Sequence, residues 1–340
     1  MSRAARPLLL PLTPIYRWAL ALRELELRTG LRPVRRLRWP VVSVGSLSVG
    51  GAGKTPLAIA LVRALAGRGV HVDVLSRGYG RRRSALPLGV DPGGEAEEFG
   101  DEPLAMARAT GVPVFVAAAR FRAGLLAEAE VSAGAASRKG ALAHCPLRVH
   151  LLDDGFQHRQ LARDVDILLV SRRDLADGLL PAGNLREALR AAGRANVFAI
   201  PADEPEVAEW VSAHGWEQPV WRLRRHMVAP HIDGPVAAFC GIAQPEQFFR
   251  GLEQLGMRLA ARLPFADHRR YTAGDLARIQ AAARAAGAVA LLTTEKDCAR
   301  LGAQAEGLAA EIPLQSVPLR VEIDNEAAAI DWLLQRIRAR

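Results

Sequence analysis

The sequence predicts an α/β protein: a doubly wound, mainly parallel sheet, a second and smaller α/β domain, and an amphipathic helix at the N-terminus. Three observations carry this reading. From residue 41 onward, short runs rich in Val and Leu alternate with helix-forming stretches, the pattern of a parallel sheet covered on both faces. A glycine-rich turn ending in Gly-Lys-Thr joins the first of these runs to the first helix. The alternation then restarts near residue 234, beyond a stretch containing Pro219, Pro230 and Gly234. At 340 residues the chain has room for two domains.

The first element is a helix over Ile15–Arg28. Ile15, Trp18, Leu22 and Leu25 share one face, with Leu20 and Leu27 near its flanks. Arg17, Arg23 and Arg28 are interspersed, and Arg32, Arg35, Arg36 and Arg38 follow. Leu8-Leu9-Leu10 is interrupted by Pro11 and Pro14 with no small-residue cleavage site, unlike a signal peptide. No uncharged run reaches the roughly 20 residues a membrane span requires. Residues 1–40 hold nine Arg and two Glu, and so carry seven of the nine net positive charges. A basic arm on a nearly neutral body points to a local anionic surface rather than to nucleic acid. Two readings stay open: the helix packs on the protein's own body with its arginines solvated, or it lies on a membrane, where Trp18 and Tyr16 suit the lipid boundary.

Val41–Val44 is the first strand and Pro56–Ala66 the first sheet-covering helix. Val70–Leu75, Val112–Val116, Val149–Leu152, Val165–Val170 and Val197–Ile200 are the following strands. Pro103–Thr110 and Ala123–Ala129 are helices, and Val131–Gly140 reads as a surface loop of small residues. These elements define a domain over residues 41–218, with 219–234 as a linker. Residues 235–340 form the smaller domain, which closes over the cleft. Pro235–Cys240, Val289–Leu292 and Pro318–Ile323 are its strands, and Pro245–Leu255 and Glu326–Arg338 are helices. Thr272 caps a further helix up to Ala286, with Asp275 completing a capping box. Cys145, Cys240 and Cys298 are far apart and fit no metal-site spacing, which suggests reduced thiols in a cytosolic compartment.

The chemistry concentrates at the ends of the predicted strands, where a doubly wound sheet places its site. Ser48-Val49-Gly50-Gly51-Ala52-Gly53-Lys54-Thr55 has the composition of a phosphate-binding loop. Its glycines allow a tight turn with amide N–H groups facing a phosphate, and the helix behind adds a positive dipole end. Lys54 can reach terminal phosphates and the Thr55 hydroxyl can ligate Mg²⁺. Ser48 departs from the usual opening Gly, and Val49 stands where partitioning-type ATPases carry an early lysine. Lys54 is one of three lysines among 45 basic residues, with Lys139 and Lys296, which makes each of them informative.

Asp153-Asp154 follows an apolar run, the position of a metal-organising carboxylate, and Gly155-Phe156-Gln157-His158 adds an amide and an imidazole. Strand-end aspartates also occur for structural reasons. Asp101 and Glu102 precede a helix, either as its electrostatic cap or, in the case of Asp101, as a general base. His268 lies in the charged loop Phe265–Tyr271, and meeting Asp101 would require cleft closure. Arg186 can stabilise charge on a transferring phosphoryl group. Thr294-Glu295-Lys296-Asp297 has Lys and Asp adjacent, which excludes the guanine-reading Asn-Lys-x-Asp motif.

Taken in order, Ser43–Pro56, Ser76-Arg77-Gly78-Tyr79-Gly80, Gly100-Asp101-Glu102-Pro103, Asp153–His158, Leu185-Arg186-Glu187, Phe265–Tyr271 and Thr294–Asp297 resemble the tetraacyldisaccharide 4′-kinases of lipid A biosynthesis. The resemblance covers most of the chain, and that family shares Ser48. Ser46 stands where it has Asn, and residues 131–147 look longer. The resemblance implies transfer of the ATP γ-phosphoryl group to the 4′-hydroxyl of tetraacyldisaccharide 1-phosphate. It implies a peripheral enzyme on the cytoplasmic face of the bacterial inner membrane, and a monomer is the separate expectation for its assembly. It also implies roles for residues. Ser48–Thr55 would hold ATP, and Thr55, Asp153, Asp154 and Gln157 would organise Mg²⁺ and phosphates. Asp101 would be the base with His268 assisting, Lys54 and Arg186 would stabilise charge, and Arg77, Tyr79 and Arg120 would line the substrate side. The competing expectation is a membrane-associated P-loop ATPase that acts on a protein partner.

Overall fold

A computed structural model of the protein describes residues 6–50, 53–81, 86–137 and 147–340. Helix α1 (Thr13–Arg28) comes first, followed by β1 (Val41–Ser46), α2 (Lys54–Gly67), β2 (His71–Ser76) and β3 (Leu88–Gly89). Helices α3 (Ala96–Phe99) and α4 (Asp101–Thr110), strand β4 (Val114–Val116), helix α5 (Arg120–Ser137) and strand β5 (Arg148–Asp153) continue the layer. Then come β6 (Val165–Leu169), α6 (Arg172–Leu175), β7 (Val197–Pro201), α7 (Pro205–Ala213) and β8 (Val220–Met227). The second lobe contains β9 (Pro235–Cys240), α8 (Pro245–Gln254), β10 (Arg258–Pro264), α9 (Ala273–Ala285) and β11 (Ala290–Thr294). After α10 (Glu295–Leu301), α11 (Gln304–Ala309) and β12 (Leu314–Val317), the chain ends in β13 (Leu319–Ile323) and α12 (Glu326–Arg338).

Nine strands form one sheet in the order β13-β8-β7-β6-β1-β5-β2-β4-β3, parallel except for the pairs at its two edges. The central strand β1 pairs with β5 and β6, so Val44 stands opposite both Asp153 and Ile167. This register brings the loops after β1 and β5 together at one end of the sheet. Leu57, Leu61 and Leu65 of α2 pack on Val42, Val44, Val72 and Leu151, all buried. The smaller sheet, β10-β9-β11-β12, is wholly parallel. Its central strand alternates faces as a covered strand must. Ala237 and Phe239 join a cluster under α9, while Val236, Ala238 and Cys240 join one under α8.

Two readings from the sequence need correction. Residues 219–234 are more than a linker, since Val220–Met227 is a strand of the large sheet. Residues 319–338 leave the smaller unit and return to that sheet, where β13 pairs antiparallel with β8. The physical reason is burial: Val321, Ile323, Ile330 and Leu333 complete the core around Leu223. Two adjacent strands therefore join the lobes. Helix α5 also runs on through 131–137, where a loop is expected; its alanines favour helix, and the rest of that segment lies outside the described residues.

At the opposite end of the sheet from the strand-end loops, His150 of β5 is fully buried between two carboxylates. Its Nδ1 is 2.7 Å from Asp73 Oδ1 and its Nε2 is 3.4 Å from Glu128 Oε1. The Trp39 ring stacks on it at 5.0 Å. Glu128 also accepts the backbone N–H groups of Arg38 and Trp39, at 2.6 and 3.1 Å. The cluster thus ties down the connector between α1 and the sheet. Burial works against charge on the imidazole, but the Asp73 and Glu128 bonds outweigh it and raise His150 to about 9.

Helix α1 lies with its apolar stripe outward. Trp18 is 70% exposed and Ile15 64%, Leu22 and Leu25 are exposed as well, and no residue of the helix is buried. Among the described residues, none covers this face. What holds α1 is polar: the Tyr16 hydroxyl donates to the Arg186 carbonyl at 2.9 Å, Arg23 donates to the Gln157 carbonyl, and Glu24 pairs with Arg159. Among the described residues no helix is long and apolar enough to cross a membrane.

Candidate active site

The turn after β1 leads into Lys54, the first residue of α2, beside the aspartates at the end of β5. Gly53 precedes α2 at φ +83°, a backbone that L side chains rarely adopt. Gly51 and Ala52 lie outside the described residues. Ser48 and Val49 are braced by the 184–185 segment, with the Val49 N–H donating to the Asn184 carbonyl at 2.9 Å. Gly50 takes φ +82°, and Thr55 is buried in the first turn of α2. Lys54 Nζ donates to Ser46 Oγ at 3.0 Å and stands 3.5 Å from Asp154. Ser46 therefore orients this lysine.

Arg186 grips Asp154 with both terminal nitrogens, at 2.7 and 2.8 Å, and touches the Ser46 carbonyl at 3.2 Å. Burial alone would raise the Asp154 carboxyl; the Arg186 bonds and the Lys54 charge instead hold it well below the usual carboxylate range. Asp153 contrasts with its neighbour. Burial, Glu102 and Asp154 push its carboxyl up to about 7, and its Oδ1 is buried with no hydrogen-bond partner. Gln157 donates Nε2 to the Ser46 carbonyl at 3.0 Å and likewise leaves Oε1 buried without a partner.

These two orphaned acceptors fit a hard cation. Mg²⁺ in phosphate sites takes one or two carboxylates and otherwise phosphate and water oxygens. Accordingly, among the described residues no group of three or more His, Cys, Asp or Glu side chains gathers as a self-contained metal site. Asp153, Gln157 and the Thr55 hydroxyl are the available ligands, while Asp154 is engaged by Arg186.

On the same lobe, Asp101 opens α4 behind Gly100, whose φ of +94° lets the backbone pass Tyr79: a Cβ there would meet the Tyr79 carbonyl at 2.8 Å. Asp101 Oδ2 accepts from His268 Nδ1 at 3.1 Å, so the two lobes already meet at the pair that the sequence reading leaves to closure. His268 sits at φ +57° and Asp154 at φ +49°, uncommon backbone for such residues and concentrated at this site. The bond to Asp101 raises the His268 imidazole against the opposing effect of burial. Burial would raise Asp101 in turn, but His268 and Arg300 hold it well below the usual range. The Tyr79 ring, itself exposed, stacks obliquely on His268 at 5.4 Å.

Arg120 lies buried in the first turn of α5, with Nη1 on the Ala118 carbonyl at 3.1 Å and Nε without a partner. Burial and the neighbouring Arg77 bring it down to about 10. Arg77 is exposed at the end of β2. The sequence reading misses two cations, Arg300 and the functional placement of Lys296. Arg300 donates to Asp101, and Lys296 of the smaller lobe pairs with Glu102 of α4. The scarcity of lysine could have flagged Lys296; nothing local marks Arg300 among so many arginines.

A phosphate-binding loop facing paired aspartates in one lobe, with a carboxylate–imidazole pair bridging to a second lobe, defines a two-lobed P-loop enzyme. A family model described as tetraacyldisaccharide-1-P 4′-kinase matches residues 5–338. The chain belongs to the tetraacyldisaccharide 4′-kinase family. It is 38% identical to the tetraacyldisaccharide 4′-kinase of Koribacter versatilis, over 97% of this chain and 99% of the relative. The Geobacter metallireducens protein of the same name is 37% identical over 89% of this chain and 90% of its own length. The crystal structure of Aquifex aeolicus LpxK in complex with ATP superposes with a TM-score of 0.74 at 30% identity, covering 98% of this chain and 99% of that one.

Proposed function

We propose that this protein transfers the γ-phosphoryl group of ATP to the 4′-hydroxyl of tetraacyldisaccharide 1-phosphate, yielding the bis-phosphorylated lipid A precursor lipid IVA. The observation that carries the reading is that the Asp101–His268 pair and the sheet-end aspartates share one charge cluster: Lys296 faces Asp101, Glu102 and Asp153, and Lys54 faces Asp153 and Asp154. Phosphoryl transfer needs chiefly positioning, charge neutralisation and a group to receive the hydroxyl proton. Residues 48–55 hold the triphosphate, and Lys54 leaves Ser46 and Asp154 for its terminal oxygens. Arg186, fixed by Asp154, faces charge that develops on the moving group. Asp101, kept ionised, receives the proton, and His268 orients it. Mg²⁺, when bound at Asp153, Gln157 and Thr55, neutralises phosphate charge.

Arg120, with a buried unpartnered Nε, and the exposed Arg77 and Tyr79 suit the anionic sugar side of the acceptor. The outward apolar face of α1, flanked by arginines, suits an anionic bilayer, with each basic residue near the surface contributing about 1 kcal/mol. The protein is then peripheral, on the cytoplasmic face of the inner membrane. One chain supplies both lobes of the site, so a monomer suffices. Incubation with γ-labelled ATP and tetraacyldisaccharide 1-phosphate tests the reading. Label in the lipid supports it; label released only as free phosphate overturns it in favour of an ATPase.

A further inference from the structure

Arg300 is a second small-lobe group on Asp101, and nothing in the mechanism above uses it. It projects from α10 across the cleft with a side chain 6% exposed, against 7% for Asp101. Its Nε and Nη2 donate to Asp101 Oδ2 at 2.8 and 2.6 Å, and its Nη1 donates to the Gly241 carbonyl at 2.6 Å and to Asp297 Oδ1 at 2.8 Å. A guanidinium spanning acceptors on both sides cannot swing without breaking bonds on one of them.

Its support is equally fixed. Asp297 is fully buried; it accepts from the Tyr271 hydroxyl at 3.0 Å, the Thr294 hydroxyl at 2.6 Å and the Gly241 N–H at 3.1 Å. Beside it, Ala299 of α10 packs on Leu104 and Ala105 of α4. The charges facing Asp101 are therefore His268, Arg300 and Lys296 from the small lobe, with Asp267 and Asp297 beyond them, and Glu102 on its own helix. Every cation in that set belongs to the other lobe.

We propose that Arg300 is a positioning residue for the phosphoryl transfer: it fixes the Asp101 carboxylate in the orientation it shares with His268, and does so only while α10 rests on α4. This role rests on the reading of Asp101 as the proton acceptor. It explains how one ionised carboxylate on the large lobe is oriented by a lobe that can move away. Separation of the lobes would remove both partners of Oδ2 at once, leaving Asp101 unoriented until the cleft shuts. His268 and Arg300 also share that oxygen, with Arg300 Nη2 3.4 Å from His268 Nδ1, so each is sensitive to the other's presence.

The test uses full-length Arg300→Met, Arg300→Lys and Asp101→Asn, with kinase turnover on tetraacyldisaccharide 1-phosphate and NMR titration of His268, assigned through His268→Gln. Misplacing a reacting group by about 1 Å costs on the order of 100-fold. Arg300→Met is accordingly expected to lose about that factor in kcat, with KM for ATP within about twofold of the parent. Arg300→Lys recovers part of the loss, and it keeps the test decisive if the Met variant fails to fold. The His268 titration shifts upward in Arg300→Met, because a neighbouring positive charge is gone. Parental kcat in Arg300→Met, or lost kcat with an unmoved His268 titration, overturns the proposal. Parental turnover in Asp101→Asn overturns the base reading and this role together. Slow Asp101→Asn beside fast Arg300→Met overturns the Arg300 role alone.

Discussion

Replacing His150 with Gln removes the cation from a buried cluster while leaving its shape nearly intact. Two routes give the size of the effect. Raising the imidazole from an ordinary value of 6.5 to about 9 corresponds to about 3 kcal/mol of folding stability. Removing one partner of a buried ion pair costs about 3–5 kcal/mol, because the Asp73 carboxyl stays buried without its partner. The two agree near 3–4 kcal/mol. With about 2 cal/mol/K of unfolding entropy per residue, 340 residues unfolding together give a Tm lowered by roughly 5 °C. The sign with pH follows from the raised value: the imidazolium contribution is complete below pH 6.5 and fades as pH rises through about 9. Calorimetry of parent and variant at closely spaced pH values measures both. The gap in Tm should be widest at pH 6 and close toward pH 10. A gap below 1 °C at pH 6, or one independent of pH, would refute the assignment of a charged His150 between Asp73 and Glu128.

Three further outcomes are expected. Asp101→Asn should lower kcat by about 10²–10⁴, the usual worth of a positioned base, with KM for ATP little changed, as measured by labelled-phosphate transfer. Arg120→Gln should raise KM for the lipid acceptor more than it lowers kcat, since the site loses the positive charge that faces the anionic acceptor; steady-state kinetics at saturating ATP decides this. The pair Ile15→Glu and Trp18→Glu should release the protein from anionic vesicles in sedimentation while leaving nucleotide binding intact. These point changes are cleaner than deleting residues 1–30, because Tyr16 and Arg23 touch the loops that carry Arg186 and Gln157.

What could be read from the sequence was whatever physical chemistry writes locally. Residues 48–55 need glycines and a lysine at fixed spacing, and Thr272 with Asp275 forms a capping box whose reciprocal bonds are all present. The long-range features had no such signature. Strand β8, Val-Trp-Arg-Leu-Arg-Arg-His-Met, buries only Trp221 and Leu223, and its arginines hide a strand whose second partner lies almost 100 residues on. The Arg300–Asp101 contact joins positions 199 apart, and no periodicity encodes it. The direction of α1 was likewise undetermined, because an amphipathic stripe says that a face is apolar but not which way it turns.

That outward turn has a consequence for how substrate arrives. The polar side of α1 rests on the 157 and 186 loops, and the helix itself is only about 10 Å across. Once its apolar side lies on lipid, the phosphate loop and its partners work roughly one helix width below the bilayer. On that arrangement an acceptor whose chains stay in the leaflet would need only to present its sugar, and the product would leave sideways without entering water. Encounter would then be a search in two dimensions, limited by lateral diffusion in the leaflet rather than by the negligible solubility of a four-chain lipid.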